Sequence, residues 1–379
     1  MSDVSSPLPL PSKSERLLYI CDWLPPDYGA VGQYALLFAQ KVASEGRDIV
    51  VAGLSSREDS STSADIGAGH LRQIRVKVPT YDKTSLLKRM LWTLRTNTQL
   101  VWKLRRQLLE ADVIQFTGSP PYFLHWIAPL NLLLRKKLVY RITDFHPECL
   151  MAQRKRPSSI LKLIYRLTVF WRRRVDEFEV LGIDQLERLK EIGIPSEKIR
   201  VQRDRAPVEF NSGIMPLDRP PAVGGKLALL YSGNWGIAHD YRTFVSAYDL
   251  HHKKGSGRFV LWVNAVGAAV ESIENELRHL RLPYGRTSPV PLESLSRLLI
   301  TPDAHLITLS DAFVGFVLPS KVYGCIESGL PILYVGSARS DVHRLCVERT
   351  RAGYFRVEVG SVQDCWDALE RLADTKEQK

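Results

Sequence analysis

The sequence lacks a disulfide framework, a metal-binding cluster, a secretory leader and a membrane span. Its five cysteines, Cys21, Cys149, Cys325, Cys346 and Cys365, are odd in number and scattered, with no CxxC pair and no cysteine–histidine cluster at metal-ligand spacing. Such a pattern predicts reduced thiols. The Pro/Ser-rich leader, Met1 to Glu15, has no apolar core of the signal-peptide type, so a cytosolic protein is expected. The most apolar later stretch, Phe123 to Leu134, is interrupted by His125 and Pro129 and falls short of the roughly 20 residues that a crossing helix needs. A short-period repeat is also missing, which excludes a solenoid or propeller. No DxD pair sits in a plausible nucleotide pocket, so no metal and no other cofactor is expected. Acidic residues are the scarcer sign, 41 against 52 Lys and Arg, leaving a formal charge of +11 that calls for anionic partners.

What is present is a chain of 379 residues, 45% hydrophobic and 25% charged, long enough for two domains with separate cores. Apolar runs at Leu17–Cys21, Ile49–Ala52, Val113–Phe116, Leu138–Ile142 and Phe178–Leu181 alternate with helical spacing, which predicts α/β architecture with a parallel sheet. The pattern lapses around Asn211-Ser212-Gly213, Pro220-Pro221 and Gly224-Gly225, then resumes at Leu227–Tyr231, Phe259–Val263, His305–Thr308 and Ile332–Val335. The expected organisation is an N-terminal Rossmann-like domain over 1–206, a linker over 207–225, a second Rossmann-like domain over 226–360 and a C-terminal helix over 361–379.

The basic excess sits in the first half. Arg72 to Arg106 holds ten Lys/Arg against one acidic residue, Asp82, and Arg135 to Arg174 holds twelve against two, Asp144 and Glu148. The segment Ile160–Trp171 with Arg172-Arg173-Arg174 combines a broad apolar face with cations, as does Arg89–Arg106 with Trp92 and Trp102. Both read as interfacial helices, predicting peripheral attachment to the anionic inner face of the cell membrane. Nucleic acid is not an expected partner, because neither a stacking motif nor a helix-turn-helix signature accompanies the charge.

The clearest motif is Val317-Leu318-Pro319-Ser320-Lys321-Val322-Tyr323-Gly324-Cys325-Ile326-Glu327-Ser328-Gly329-Leu330-Pro331. It reads as a loop, a helix capped by Ser320 and closed by Gly329, and a following strand. Amides at such a helix start together with Lys321 suit a diphosphate. A capped helix with a solvated lysine fits the same spacing.

With Tyr231-Ser232-Gly233-Asn234-Trp235-Gly236-Ile237-Ala238-His239-Asp240, the motif resembles the family-4 glycosyltransferases of the GT-B fold, in particular bacterial members with PSKxY. The resemblance extends to the loop Pro25 to Gly32, to Asp144–Glu148 and to Leu181–Asp184. It implies two Rossmann-like domains with parallel sheets facing a central cleft, the nucleotide-sugar bound to the second and the acceptor to the first. It further implies retaining, metal-independent transfer. In that comparison Pro319, Ser320, Lys321 and Tyr323 hold the donor, Gly233 and Asn234 let backbone approach its diphosphate, and Asn264 to Gly267 line the base pocket. His239 is a candidate phosphate ligand, with the alternative that His239-Asp240 simply starts a helix.

Three positions depart from the family pattern. Gly324 stands where relatives often place a ribose-binding glutamate, with Glu327 one turn onward as a substitute or a solvated residue. Thr143 stands where many have a histidine, leaving Asp144 and His146 as acceptor base, sugar ligand, or, for Asp144, a cap of the next helix. Ala30 interrupts the usual double glycine, with Gly29 and Gly32 read as an acceptor-side loop or a tight structural turn.

The expected function is transfer of a sugar from a uridine-linked donor to a hydroxyl of a glycan or lipid-linked acceptor, in polysaccharide or glycolipid synthesis. A catalytically silent nucleotide-sugar-binding subunit and a nucleotide-sugar 2-epimerase remain as alternatives.

Overall fold

The computed structural model describes residues 15–27, 29–79, 86–154 and 156–375. The leader before Glu15, Tyr28 of the glycine loop, Asp82 and the end of the expected C-terminal helix lie outside these residues. The chain divides into two compact units, Met1–Arg203 and Asp204–Lys379.

In the N-terminal unit eight strands form one sheet: β1 (Leu17–Trp23), β2 (Ile49–Ser55), β3 (Ser60–Ile66), β4 (Gly69–Lys77), β5 (Val113–Thr117), β6 (Lys137–Ile142), β7 (Glu177–Val180) and β8 (Ile199–Val201). Their order is β3-β4-β2-β1-β5-β6-β7-β8, parallel except for the β3–β4 pair. The central strands are buried on both faces, which is why they read as unbroken apolar runs. The helix Ala30–Ser44 lays Ala35, Ala39, Val42 and Ala43, at helical spacing, against Leu17, Tyr19 and Val51. Strand β3 escaped the sequence reading because Ser60–Ile66 is polar and largely exposed, an antiparallel edge with no apolar signature.

The C-terminal unit contains β9 (Leu227–Asn234), β10 (Phe259–Val266), β11 (Tyr284–Arg286), β12 (Ala304–Thr308), β13 (Ile332–Val335) and β14 (Tyr354–Val357), ordered β11-β10-β9-β12-β13-β14 and parallel throughout. Residues 207–225 are integral to this unit. Phe210 and Leu217 pack on Leu230, Trp262 and Leu299, and the Arg219 guanidinium donates to Asp303 at 2.8 Å and to the Thr301 carbonyl at 2.9 Å. Likewise the helix Val362–Asp374 buries Cys365, Ala368, Leu369 and Leu372 in the same core as β9 and β10.

Candidate functional site

In an open parallel sheet, ligands gather where strand order reverses, because the flanking helices leave toward opposite faces and open a crevice at the strands' carboxyl ends. In the C-terminal unit that reversal lies between β9 and β12. Strand β9 ends at Gly233, whose φ of +95° is open to glycine at no steric cost, and at the exposed Asn234. The next turn stacks Trp235 on Tyr231, ring centroids 3.6 Å apart. His239 crosses the reversal: its Nδ1–H donates to the Thr308 carbonyl at 2.6 Å, so Nδ1 carries the proton and Nε2 is the free ring nitrogen of a neutral imidazole. Burial, and then the charge of Lys321, pushes His239 down to about 3. Asp240 accepts from the Thr243 amide at 3.1 Å, the helix-start role that was its alternative.

Lys321 comes to the same place. Its Nζ lies 3.2 Å from the centroid of the Tyr231 ring, has no contact with solvent and no hydrogen-bond acceptor among the described residues. Burial holds the amine well below lysine's ordinary value, with Cys325 opposing weakly. A lysine solvated at the surface is therefore not what the fold contains. Ser320 does occupy the position before the helix Lys321–Glu327, but its backbone is already helical and its side chain makes no cap, which corrects the capping expectation. Pro319 and Tyr323 are buried behind the motif, and Gly329, at φ +70°, follows the helix end.

The other donor-side candidates are placed as follows. Asn264 is within β10, and its amide donates to Thr287 Oγ1 at 2.8 Å and the Ser288 carbonyl at 2.7 Å, so it holds the segment after β11. Gly267 has φ +126°, and a Cβ there would stand 2.3 Å from Asn234 Oδ1, so a glycine is needed to close the β10 end over the β9 turn. Gly324 faces inward, a Cβ falling 2.8 Å from Leu299 Cδ1 in the unit's core. Glu327 is exposed and ion-paired with Arg349 at 2.7 Å, engaged away from Lys321's aromatic shelf.

The N-terminal unit reverses between β1 and β5. Asp144 and His146 follow β6; Pro147, not Asp144, precedes the helix Glu148–Ala152, so the capping alternative for Asp144 falls away. Burial raises Asp144 and lowers His146, each opposed by the charge of the other. The His146 carbonyl accepts from Arg172 Nη2 at 3.0 Å, and the ring lies 6.2 Å from that of Tyr122. Gly29 precedes the helix Ala30–Ser44 in extended conformation. A Cβ on Gly32 would overlap the Trp23 carbonyl, at 1.9 Å, so the close approach this glycine allows is that of the helix to β1.

Sequence reasoning missed Asp22, the last but one residue of β1, buried at the same reversal and pushed up to about 7 by burial, with the charge of Asp144 adding to the rise and bonds from Ser119 and the Gly32 and Trp23 amides opposing it. The rule that selected Asp144, a carboxylate just beyond an apolar strand, applies equally to Asp22. The run of three arginines also needs correction: Arg172 is fully buried in a two-pronged pair with Glu148, whose second contact is 3.1 Å, and only Arg173 and Arg174 are exposed. Trp92 likewise is tied inward, its indole N–H donating to the Pro79 carbonyl at 2.7 Å. No described helix is long and apolar enough to cross a membrane.

No family model matches the chain. It is 26% identical over 292 residues to the probable glycosyltransferase WbjE of Pseudomonas aeruginosa, covering 73% of this chain and 70% of that protein. Among solved structures it superposes on Anabaena Alr3699/HepE in complex with UDP and glucose (TM-score 0.63, 11% identity, 96% of this chain and 91% of that one). It also superposes on an E. coli trehalose-6-phosphate structure bound with UDP-2-fluoro glucose (TM-score 0.64, 12% identity, 95% and 91%). The likeness is one of architecture, and that architecture, two parallel-sheet α/β units, is the GT-B fold.

Proposed function

We propose that the chain is a glycosyltransferase that takes a sugar from a uridine-linked nucleotide donor on its C-terminal unit and passes it to a hydroxyl of a glycan or lipid-linked acceptor. The observation that carries this is the Lys321 amine, buried without an acceptor on the Tyr231 ring at the reversal of a GT-B sheet. A desolvated amine lacking a counter-charge is costly, and an arriving diphosphate supplies both the charge and the acceptor oxygens. As the glycosidic bond breaks, charge grows on the leaving phosphate oxygen, where the protonated lysine stabilises it. His239, held by Thr308 with Nε2 free, is placed to accept rather than to add positive charge.

The relatives' names supply the class: WbjE is a probable glycosyltransferase, and HepE is bound to UDP and glucose. Membership of the family-4 subgroup, retention, metal independence and polysaccharide or glycolipid assembly belong to the same proposal. So does attachment to an anionic membrane face, for which the exposed row Ile160, Leu163, Leu167 and Phe170 beside Arg173 and Arg174 speaks.

Thermal unfolding with UDP and UDP-glucose, for the parent and Lys321→Ala, tests the donor site. At a hundredfold excess over Kd a ligand adds about 2.7 kcal/mol, roughly 5–10 °C for a unit of this size. Loss of the lysine should weaken binding about tenfold to a hundredfold and remove most of the shift at equal ligand. No shift with any uridine nucleotide, or equal shifts in both proteins, refutes the site; binding without transfer to any acceptor returns the silent-subunit reading.

A further inference from the structure

The donor chemistry leaves unused a group of polar side chains in the N-terminal unit. Three segments end at or beside the β1–β5 reversal: Asp22 from β1, Ser119 two residues beyond β5, and Asp144 with His146 just beyond β6. The Asp22 carboxyl takes bonds from the Ser119 hydroxyl and from the Gly32 and Trp23 amides, which fix its direction. Its Oδ1, in contrast, is shielded from water and has no hydrogen-bond partner. A buried carboxyl oxygen without a donor is unfavourable, so a position serving structure alone would be expected to satisfy both oxygens. Tyr122, held at φ +65°, places its ring 6.2 Å from that of His146, an aromatic face on the same side of the unit's chemistry.

We propose that Asp22, Asp144 and His146 form a site for sugar hydroxyls, with Asp22 Oδ1 receiving one hydroxyl of a neutral pyranose. That this pyranose is the sugar acceptor of the reaction rests on the transferase reading above. Two carboxyl groups repel phosphate, which separates this site from any donor diphosphate. Because burial raises both Asp22 and Asp144, the group retains a proton near neutrality. It can therefore donate one hydrogen bond and accept others, matching a hydroxyl that does both.

Saturation-transfer NMR on the full chain tests the site, with the methyl α- and β-glycosides of glucose, galactose, mannose and N-acetylglucosamine as probes and the stabilisation by UDP-glucose as a separate readout. At least one glycoside should receive saturation from the parent. Asp22→Asn, which keeps the shape and removes the charge, should weaken that glycoside about tenfold or more, and Asp144→Asn should do the same, while the UDP-glucose shift stays at the parent's value. A purely structural Asp22 would instead alter melting without selective loss of the glycoside. Unchanged glycoside affinity in Asp22→Asn, or no transfer to any probe from the parent, overturns the proposal. If Asp22→Asn does not fold, Asp144→Asn decides by the same criteria. A parent that binds a glycoside through Asp22 but is not stabilised by UDP-glucose refutes the transferase reading and leaves the hydroxyl site standing.

Discussion

Arg172 shows at single-residue scale how far a charge can be from where its sequence neighbours suggest. It belongs to a run of three arginines, yet it is fully buried, paired with Glu148, bonded to the His146 carbonyl and packed 5.0 Å from the Phe145 ring centroid. It therefore positions the segment that carries Asp144 and His146. Arg172→Gln should cost about 3–5 kcal/mol, because Glu148 is left buried without its partner, and should lower the melting temperature of the N-terminal unit by on the order of 10 °C. Replacing both by leucine should recover much of that loss, since well-packed apolar residues carry no desolvation penalty. A single variant that melts with the parent would show that the pair contributes nothing.

At the scale of elements, the helix Ser159–Arg172 combines two faces. Leu161, Thr168 and Arg172 are buried, while Ile160, Leu163, Leu167 and Phe170, at spacings of three and four, are 72%, 55%, 45% and 45% exposed. Isolated exposed leucines need no explanation, but a row of four on one helix beside unburied cations does. The Arg174 guanidinium lies 3.5 Å from the Phe170 ring centroid, keeping the cation beside the apolar row. Serine at Leu163, Leu167 and Phe170 should reduce co-sedimentation with phosphatidylglycerol vesicles. Glutamine at Arg173 and Arg174, with Arg172 untouched, should remove up to about 1 kcal/mol per charge. Both sets should melt as the parent does, and equal sedimentation of the variants with the parent would refute membrane docking.

Over the whole molecule, acid should act mainly on the C-terminal unit. His239 and His305 are pushed down to about 3 and about 4, His252 to about 4 and His251 downward, in each case first by burial. Since the unfolded chain binds these protons near 6.5, their contribution is fully present above that pH and is lost as pH falls toward 4. For His305 alone the loss between pH 6.5 and 5 is about 2 kcal/mol. This ring accepts or donates at 2.9 Å to Ser328, next to the helix that carries Lys321, so acid loosens the proposed donor site as well. Asp22, raised to about 7, acts in the opposite sense between roughly pH 4 and 7, within the N-terminal unit. Melting curves from pH 7 to 5 should show the C-terminal transition falling further than the N-terminal one; parallel transitions would contradict the assignment.

The sequence by itself determined the α/β class, because strands buried on both faces must be apolar throughout, as Leu17–Cys21 and Phe259–Val263 are. It also marked Lys321, Gly233 and Asp144, because turns and strand ends demand particular residues at particular spacings. Strands β3 and β11 were invisible to it, one polar and exposed, the other three residues long. Tertiary structure alone decided that residues 207–225 fold with the second unit, that Ser320 makes no cap and that Arg172 is a buried partner of Glu148 rather than a surface cation. It also decided that Lys321 rests on Tyr231, 90 positions earlier, and that Asp22 lies with Ser119 and Asp144. These are facts of long-range burial. Whether a charged side chain is solvated, paired or left without a partner depends on which distant strand ends the sheet order brings beside it, and no local spacing carries that information.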